Sequence, residues 1–223
     1  NTILYTLVGT SLNVLMTTCA AYPLSRKGYS LRSAAMIFIT ITMFFSGGLV
    51  PFYILVNKLG MMDKRSAVII PGAVSAWNLM LARVFFQSTI PDELTDAARI
   101  DGANDVTIFF RIVAPLSTPI LAVLALFYGV GHWNDFFGPL IFLTTKPALH
   151  PLSLYLRKVL TLSQVYGGQV KSGTEMIRQW AAMALTERMK YASIIVALLP
   201  IMLSYPFVQR YFVKGVMLGA LKE

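Results

Sequence analysis

Long apolar runs separated by short polar segments make up most of this 223-residue chain. Because about twenty residues of α-helix extend roughly 30 Å, such runs can cross the hydrocarbon core of a bilayer. Helices are expected rather than strands, since isolated strands in lipid leave backbone hydrogen-bonding groups unsatisfied. The pattern therefore predicts an all-α polytopic membrane helix bundle, a single domain over residues 1–223, with five transmembrane helices at 3–22, 34–55, 67–86, 117–143 and 192–212.

One stretch, residues 90–115, departs from this pattern because it is polar and rich in turn-forming residues. Gly102 can adopt the left-handed conformation that closes a helix. Asn104 or Asp105 can then cap a second helix, which Pro115 ends. We therefore predict two short helices, set at an angle to each other between membrane spans.

The first of these short helices has one face of small and apolar side chains. Leu94, Ala97, Ala98 and Asp101 fall at i, i+3, i+4 and i+7, so they share one side of the helix. The two alanines make that side flat, which would let another protein approach closely. The alternative is a surface connector whose alanines only favour helix formation.

Composition supports a membrane protein, since 56% of the residues are hydrophobic and only 13% are charged. A soluble domain of this length could not hide so much apolar surface. The cations behind the net charge of +9 lie between apolar runs, as expected beside lipid headgroups, rather than on a polar face as in nucleic-acid-binding proteins. The single cysteine, Cys19, excludes an intrachain disulfide, and its apolar surroundings predict a buried thiol.

Polar side chains interrupt the fourth apolar run at His132, Trp133, Asn134 and Asp135. Because exposing polar groups to lipid is costly, they are expected to face a cavity or another helix. An aromatic ring beside hydrogen-bonding groups suits sugars, so one interpretation is the wall of a substrate pathway. The other interpretation is a cluster of hydrogen bonds that holds helices together.

Other classes of function also fit parts of the sequence. Asp135 and His132 could act as the proton relay of a secondary, ion-coupled transporter, although such proteins usually contain internal repeats and this sequence has none. A purely structural membrane scaffold is a third hypothesis. A requirement for a copurifying ATPase would separate these hypotheses from ATP-driven transport.

The sequence contains no constellation of catalytic residues. Both the phosphate-binding motif G-x-x-x-x-G-K-[ST] and the nucleophile motif G-x-S-x-G are absent from it. The two histidines, His132 and His150, lack the spacing of metal ligands. We therefore expect a protein that is not an enzyme and that has no metal or cofactor of its own.

Several motifs in the 90–115 stretch resemble a known family. Asp96-Ala97-Ala98, Asp101-Gly102-Ala103, Ile112 and Pro115 are similar to the Glu-Ala-Ala loop of bacterial ABC importer permeases. Asp96 stands where that family usually has glutamate, which keeps the charge and shortens its reach. In the family this loop is the coupling helix, which docks on the cytoplasmic ATPase.

Three further segments narrow the resemblance to one subgroup of these permeases. Residues 45–51, 71–78 and 131–135 are similar to carbohydrate permeases of the maltose-importer type, in particular those for oligosaccharides from complex polysaccharides. A known system of this kind imports alginate, a polyuronate. The resemblance therefore implies an oligosaccharide importer of the bacterial cytoplasmic (inner) membrane, possessing the type I permease fold with six spans in the full protein.

The resemblance also implies partners and residues that contact them. It implies a second permease subunit, an ATPase dimer that binds ATP and Mg, an extracytoplasmic substrate-binding protein and a cytoplasmic coupling loop at residues 88–115. The residues implied to contact the ATPase are Glu93, Leu94, Asp96, Ala97, Ala98, Asp101 and Gly102. The chain's charge distribution does not decide its orientation in the membrane, so the cytoplasmic placement of this loop rests on the resemblance.

A long polar segment, residues 144–190, contains seven lysines and arginines but only two glutamates. The resemblance places it outside the cell, where permease loops meet the substrate-loaded binding protein. A basic loop would attract an acidic face of that protein or an anionic sugar. The residues expected in this contact are Arg157, Lys158, Lys171 and Arg178; the alternative is that these cations only lie among lipid headgroups.

Overall fold

The computed structural model describes residues 1–166 and, in the C-terminal part, residues 191, 192, 194, 195, 197–203, 206 and 209. Within these residues all regular structure is helical. This confirms the predicted all-α class. Two of the predicted contact residues, Lys171 and Arg178, lie outside the described residues, as does part of the fifth predicted span.

Eleven α-helices are described in the first 166 residues, and they vary greatly in length. They are α1 (Thr2–Ser25), α2 (Arg32–Phe44), α3 (Leu49–Lys58), α4 (Ser66–Ile69), α5 (Ala76–Thr89), α6 (Asp92–Ile100), α7 (Asp105–Ile108), α8 (Ala114–Leu116), α9 (Thr118–Asn134), α10 (Phe137–Phe142) and α11 (Leu152–Tyr166). A π-helix, Phe109–Val113, joins α7 to α8, and a 3-10 turn, Pro147–Leu149, precedes α11.

Helix α1 has 24 residues and, among the described residues, is the one helix that is long and apolar enough to cross a membrane alone. Two bent pairs of helices pass the same criteria together. Helices α2 and α3 meet at 115°, and the helical segment 105–116 meets α9 at 83°. If each bent pair is one span, the described residues contain up to three spans. The predicted total of five spans stays a prediction.

The breaks in the predicted spans occur at residues that disfavour helix. Gly48, with φ +82°, precedes α3 and lies at the bend after α2. In the third predicted span, Pro71 and Gly72, with φ +76° at the glycine, separate α4 from α5. Proline lacks a backbone donor, and left-handed glycine ends a helix, so each segment divides into two helices.

The interior lies between α1, α5 and α9, since α1 packs along both other helices. Ala21 of α1 and Ala82 of α5 are fully buried in the main core cluster. Small side chains at such positions let membrane helices approach closely. The buried side chains of this cluster are Ala21, Tyr22, Leu24, Leu79, Ala82, Phe86, Ile90, Ala98, Ile108, Phe109, Val113, Ile120, Leu124 and Tyr128. The core therefore reaches from the longest helix to the two short helices of the 90–115 stretch.

Candidate functional site

Helix α6 carries charges that match the polarity of its ends. Asp92 and Glu93 lie in its first turn, and Arg99 lies in its last turn. Acidic side chains are favourable at a helix N-terminus and basic ones at a C-terminus, because the backbone dipoles are aligned along the helix axis. A helix of nine residues is marginal alone, so these end charges help to define it.

The C-terminus of α6 is closed by Gly102, as the sequence predicted. Gly102 has φ +81° and its N–H donates to the Arg99 carbonyl at 3.0 Å. The Ala103 N–H donates to the Ala98 carbonyl at 3.0 Å, which completes a Schellman motif. A β-carbon at Gly102 would meet nothing within 4 Å. The requirement for glycine therefore comes from the backbone conformation and not from packing.

The exposed face of α6 differs in one residue from the predicted face. Leu94, Ala97 and Asp101 are exposed as predicted, but Ala98 is only 8% exposed. Its side chain belongs to the core cluster, because it lies one turn after the buried Thr95 on the inward side of the helix. Prediction of an outward-facing Ala98 was therefore wrong.

One apolar residue of this outward surface was not predicted from the sequence. Ile100, at the end of α6, is 87% exposed. It lies three residues after Ala97, so it extends the exposed surface toward the C-terminal end of the helix. The predicted residues Glu93, Asp96 and Gly102 are also exposed.

The second short helix begins where the sequence predicted and ends later. The side chain of Asn104 accepts a hydrogen bond from the Thr107 N–H at 2.8 Å, so Asn104 is the cap. Pro115 does not end the helical segment, which continues through Leu116. The π-helix Phe109–Val113 directly before it changes the hydrogen-bonding register, and this accommodates the missing N–H of proline.

Arg99 links the two short helices electrostatically. Its guanidinium lies 3.1 Å from the Asp105 carboxylate and 3.6 Å from that of Asp96. The hydrogen bond that Arg99 donates to the Asp105 carboxylate raises the pKa of Arg99 above its ordinary value. The pair is exposed, so it orients α7 relative to α6 but contributes little stability.

A cleft of about 710 Å³ separates these short helices from the end of α1. Its wall mixes aromatic side chains with three cations and three carboxylates, the latter from Asp92, Asp96 and Asp105. Cys19 also lines this cleft and is exposed, so the prediction of a buried thiol was wrong. The apolar sequence around Cys19 carries no information about which side of α1 faces the cleft.

The polar cluster of the fourth predicted span is divided between two sides of α9. The amide of Asn13 on α1 donates to Nε2 of His132 at 3.2 Å. The indole N–H of Trp133 instead donates to the Ala197 carbonyl at 3.0 Å. Both contacts join α9 to other parts of the chain, as the structural interpretation of the cluster predicted. Asn13 was missed by sequence analysis because nothing in the sequence pairs it with a residue 119 positions away.

The polar cluster also lines an open cavity of about 380 Å³. His132, Asn134 and Asp135 contribute to its wall together with Asn13, whereas Trp133 does not. Asp135 accepts a hydrogen bond from the Gly138 N–H at 3.1 Å, so its carboxylate contacts the first turn of α10 after the break in the fourth span. The cavity can therefore hold a polar ligand beside His132 and Asn134, while Asp135 also has a structural role.

The basic residues Arg157 and Lys158 of α11 lie close to aromatic rings. The Arg157 guanidinium is 4.5 Å from the centre of the Phe136 ring, at the break between α9 and α10. Lys158 Nζ lies 3.3 Å from Nδ1 of His150, whose Nε2 lies 2.8 Å from the Leu143 carbonyl. Both cationic side chains are exposed. Arg157 is therefore nearer to the polar cluster than the sequence alone suggested.

Comparison with known proteins gives a family match over most of the chain. Residues 13–218 match the family described as the binding-protein-dependent transport system inner membrane component. Protein LplC of Bacillus subtilis strain 168 is 38% identical over 220 residues, which cover 99% of this chain and 72% of LplC. The polygalacturonan/rhamnogalacturonan transport system permease protein YtcP of the same organism is also 38% identical over 220 residues, covering 97% and 73% of the two chains.

A solved structure has the same fold. It is the crystal structure of a bacterial ABC transporter involved in the import of the acidic polysaccharide alginate. One of its chains superposes with a TM-score of 0.81 at 31% identity, over 95% of this chain and 73% of that chain. These relatives confirm the predicted type I permease fold and the prediction of a permease subunit rather than an enzyme. This protein belongs to the family of binding-protein-dependent transport system inner membrane components, and it is an ABC transporter permease.

Proposed function

We propose that this chain is the permease subunit of an ATP-driven importer for oligosaccharides. It forms the pathway with a second permease, is driven by a separate ATPase dimer that binds ATP and Mg, and receives substrate from an extracytoplasmic binding protein. The names of the relatives support this proposal. YtcP is a polygalacturonan/rhamnogalacturonan transport system permease, and the solved structure is that of a transporter involved in alginate import. A multi-pass location in a bacterial inner membrane follows from the same assignment.

The observation that carries the proposal is the exposed short helix α6. Charges match both of its ends, Gly102 closes it, and Leu94, Ala97 and Asp101 form an outward face. Ile100 adds exposed apolar surface at the end of this face. A helix that presents small and apolar side chains can enter a groove on a partner. We therefore propose α6 as the coupling helix that docks on the ATPase.

The substrate pathway is proposed to include the cavity beside the polar cluster. His132 and Asn134 offer hydrogen-bonding groups to the hydroxyls of a sugar, as pockets for polar ligands require. Trp133 is less directly supported, because its indole N–H is already bonded to Ala197. The hypothesis of a proton relay also has less support, because the Asp135 carboxylate already accepts a hydrogen bond from the Gly138 N–H in the first turn of α10.

We propose an acidic oligosaccharide as the substrate. The segment 144–190 has an excess of cations, and Arg157 lies at the break that follows the polar cluster. Cations near the entrance of a pathway raise the local concentration of an anionic substrate. Arg157, Lys158, Lys171 and Arg178 are proposed to contact either this substrate or an acidic face of the binding protein.

Photo-crosslinking in the native complex tests the proposed coupling helix. A photoreactive residue at Ala97 should crosslink to a copurifying ATPase, because Ala97 lies on the outward face of α6. The same residue at Val84, which is exposed on α5, should not. Absence of an ATPase from the natively purified complex, or equal crosslinking at both positions, would contradict the proposal.

The orientation of the chain is tested separately by thiol labelling. Cys19 is first replaced by serine because it is exposed. Single cysteines at Ser30 and Asn104 should then be protected from an impermeant reagent applied outside the cell, whereas one at Ser172 should react. Labelling of the Asn104 position from outside would place the 88–115 loop on the wrong side for ATPase docking.

A further inference from the structure

One arginine attaches the end of α1 to the start of α6. Arg26 Nη1 lies 2.9 Å from Oδ1 of Asp92 and donates to the Ile90 carbonyl at 3.0 Å. Nη2 of the same guanidinium donates to the Phe86 carbonyl at 3.2 Å. The Arg26 side chain is only 12% exposed. Charge-assisted bonds shielded in this way are stronger than surface ion pairs.

These contacts bridge three helices at one point. The carbonyls of Phe86 and Ile90 belong to the C-terminal end of α5, and Asp92 is the first residue of α6. A cation is favourable at the first of these helix ends, and a carboxylate is favourable at the second. Arg26 satisfies both ends at once, so it fixes the position of α6 relative to α5 and to α1, whose C-cap residue it is.

Neighbouring contacts limit how far Arg26 can move. Its guanidinium lies 5.1 Å from the centre of the Tyr22 ring, within the range of a cation–π interaction. The Tyr22 ring packs edge-on against Phe86 with centroids 6.0 Å apart. Arg83 of α5 also donates from Nε to the Leu24 carbonyl at 3.0 Å. The junction is therefore held by several independent contacts between α1 and α5.

The middle of α1 contacts the polar cluster. Asn13 bonds to His132, and the hydroxyls of Thr17 and Tyr128 lie 2.7 Å apart. From Asn13 to its last residue, Ser25, the helix extends about 18 Å at its usual rise per residue. A single helix thus connects the start of α6 to the cavity-lining side of α9.

We propose that Arg26 is a positioning residue that makes α6 and α1 move as one unit, so that a displacement of α6 reaches His132 through Asn13. The inference rests on the proposed function, because it takes α6 as the helix on which the ATPase acts. Arg26 touches neither substrate nor nucleotide in this proposal; it acts through Asp92 and the two α5 carbonyls.

The chain provides a matched control for the charge of Arg26. Lys27 Nζ lies 3.7 Å from the other oxygen of Asp92, but its side chain is 87% exposed. Such an exposed pair is screened by solvent and contributes little. Lys27→Gln removes an adjacent cation without removing the bridge between helices, whereas Arg26→Gln removes the bridge. Asp92→Asn weakens only the contact to α6 and leaves the contacts to the α5 carbonyls.

The first test measures communication between the two ends of α1. A cysteine at Asn134, in a Cys19→Ser background, is labelled in the purified transporter complex, nucleotide-free and trapped with ATP and vanadate. We expect the labelling rate to change between these states by about threefold or more. A change of this size corresponds to the coupling free energies found for residues that link two sites. Arg26→Gln and Asp92→Asn should largely abolish this change, and Lys27→Gln should preserve it. An undiminished change in labelling rate in both Arg26→Gln and Asp92→Asn would overturn the inference.

The second test measures whether α1 and α6 move together. Spin labels on native Cys19 and on a cysteine at Ile100 report the distance between the two helices in the same two states. We expect one narrow distance distribution in both states, which becomes broad in Arg26→Gln. An unaltered distribution in that variant would also overturn the inference.

The crosslink at Ala97 separates failure of this inference from failure of the proposed function. If Arg26→Gln retains the crosslink to the ATPase but loses the labelling change, docking is intact and positioning is lost, as we expect. If the crosslink is absent without any substitution at Arg26, the coupling-helix assignment itself is wrong and the inference falls with it.

Discussion

Gly9 of α1 faces the imidazole ring of His132 on α9. A β-carbon at Gly9 would lie 2.5 Å from Nε2 and 2.7 Å from Cε1 of His132. The ring is also bonded to Asn13 on the same helix as Gly9. The close approach of α1 and α9 at this point therefore depends on the absence of a side chain at Gly9.

The substitution Gly9→Ala should displace the His132 ring and break its bond to Asn13. Overpacking of this kind destabilises a well-packed interior by about 1–3 kcal/mol. We expect reduced thermal stability of the purified complex together with reduced transport. The control is Gly129→Ala, whose β-carbon would lie at an ordinary 3.6 Å from Thr10. Equal stability of the two variants would show that the ring can move without cost.

The substitution Gly102→Val should misplace α6. Because Gly102 has φ +81° and open space around it, the cost is one of backbone strain, about 1–2 kcal/mol. We expect an inserted permease that has lost transport and crosslinks weakly to the ATPase through Ala97. Gly28→Val is the control, since Gly28 also has open space but no positive φ. Full ATP-driven transport by the Gly102 variant would exclude this glycine as a determinant of docking geometry.

The two sides of the polar cluster should respond differently to substitution. Trp133→Phe removes the donor to the Ala197 carbonyl, so it should lower the yield of assembled complex. Asn134→Ala removes an exposed polar group of the cavity, so it should lower transport while assembly is retained. Size-exclusion chromatography and uptake assays measure these effects. If both variants only fail to assemble, the cluster is structural and the pathway assignment is withdrawn.

Neutralising the predicted basic contacts should change the salt dependence of coupling. With Arg157, Lys158, Lys171 and Arg178 all replaced by glutamine, stimulation of the ATPase by the binding protein should fall at low salt. Its dependence on salt should also flatten, because salt screens long-range attraction between charges. The measurement is ATPase rate across ionic strength. An unchanged salt profile would leave the cations without a steering role and would remove a main argument for an acidic substrate.

Asp63 should make the contact between two loops sensitive to acid. Its carboxylate accepts from the Thr145 N–H at 2.9 Å, which lowers its pKa below the ordinary value of about 3.9. Because the folded-state pKa is the lower one, the contact stabilises fully above that ordinary value and is lost as pH falls through the folded-state pKa. The hydrogen-exchange protection factor of the Thr145 amide should therefore fall in this acid range. The side chain of Asp63→Asn does not titrate, so in this variant the protection factor of the Thr145 amide should not fall over the same acid range.

Much of the short-helix region follows from local sequence. Gly102 closes α6 and Asn104 caps α7 because both act through neighbouring backbone groups, and such contacts are specified within a few residues. Ala98 was predicted to face outward and faces inward, because alanine suits both a buried core position and an exposed docking face. Which face of α6 is buried is decided by packing against α5 and against α1, and α1 is distant in sequence.

The contacts between helices could not be predicted from one sequence. Arg26 pairs with Asp92 across 66 positions, and Asn13 with His132 across 119. Hydrophobic periodicity predicts that a helix forms but not which neighbour its polar side chains meet. The breaks at Gly48 and Pro71 depend on single residues inside the apolar runs.

The bend between α2 and α3 has a consequence for what surrounds this protein in its native bilayer. All residues of the break, 45–48, are exposed on the isolated chain. Acyl chains offer no hydrogen-bonding partner to a peptide group, so non-helical backbone within the hydrocarbon region is tolerated only beside protein or water. The ring of lipid around the chain must therefore be interrupted wherever this bend lies at membrane depth.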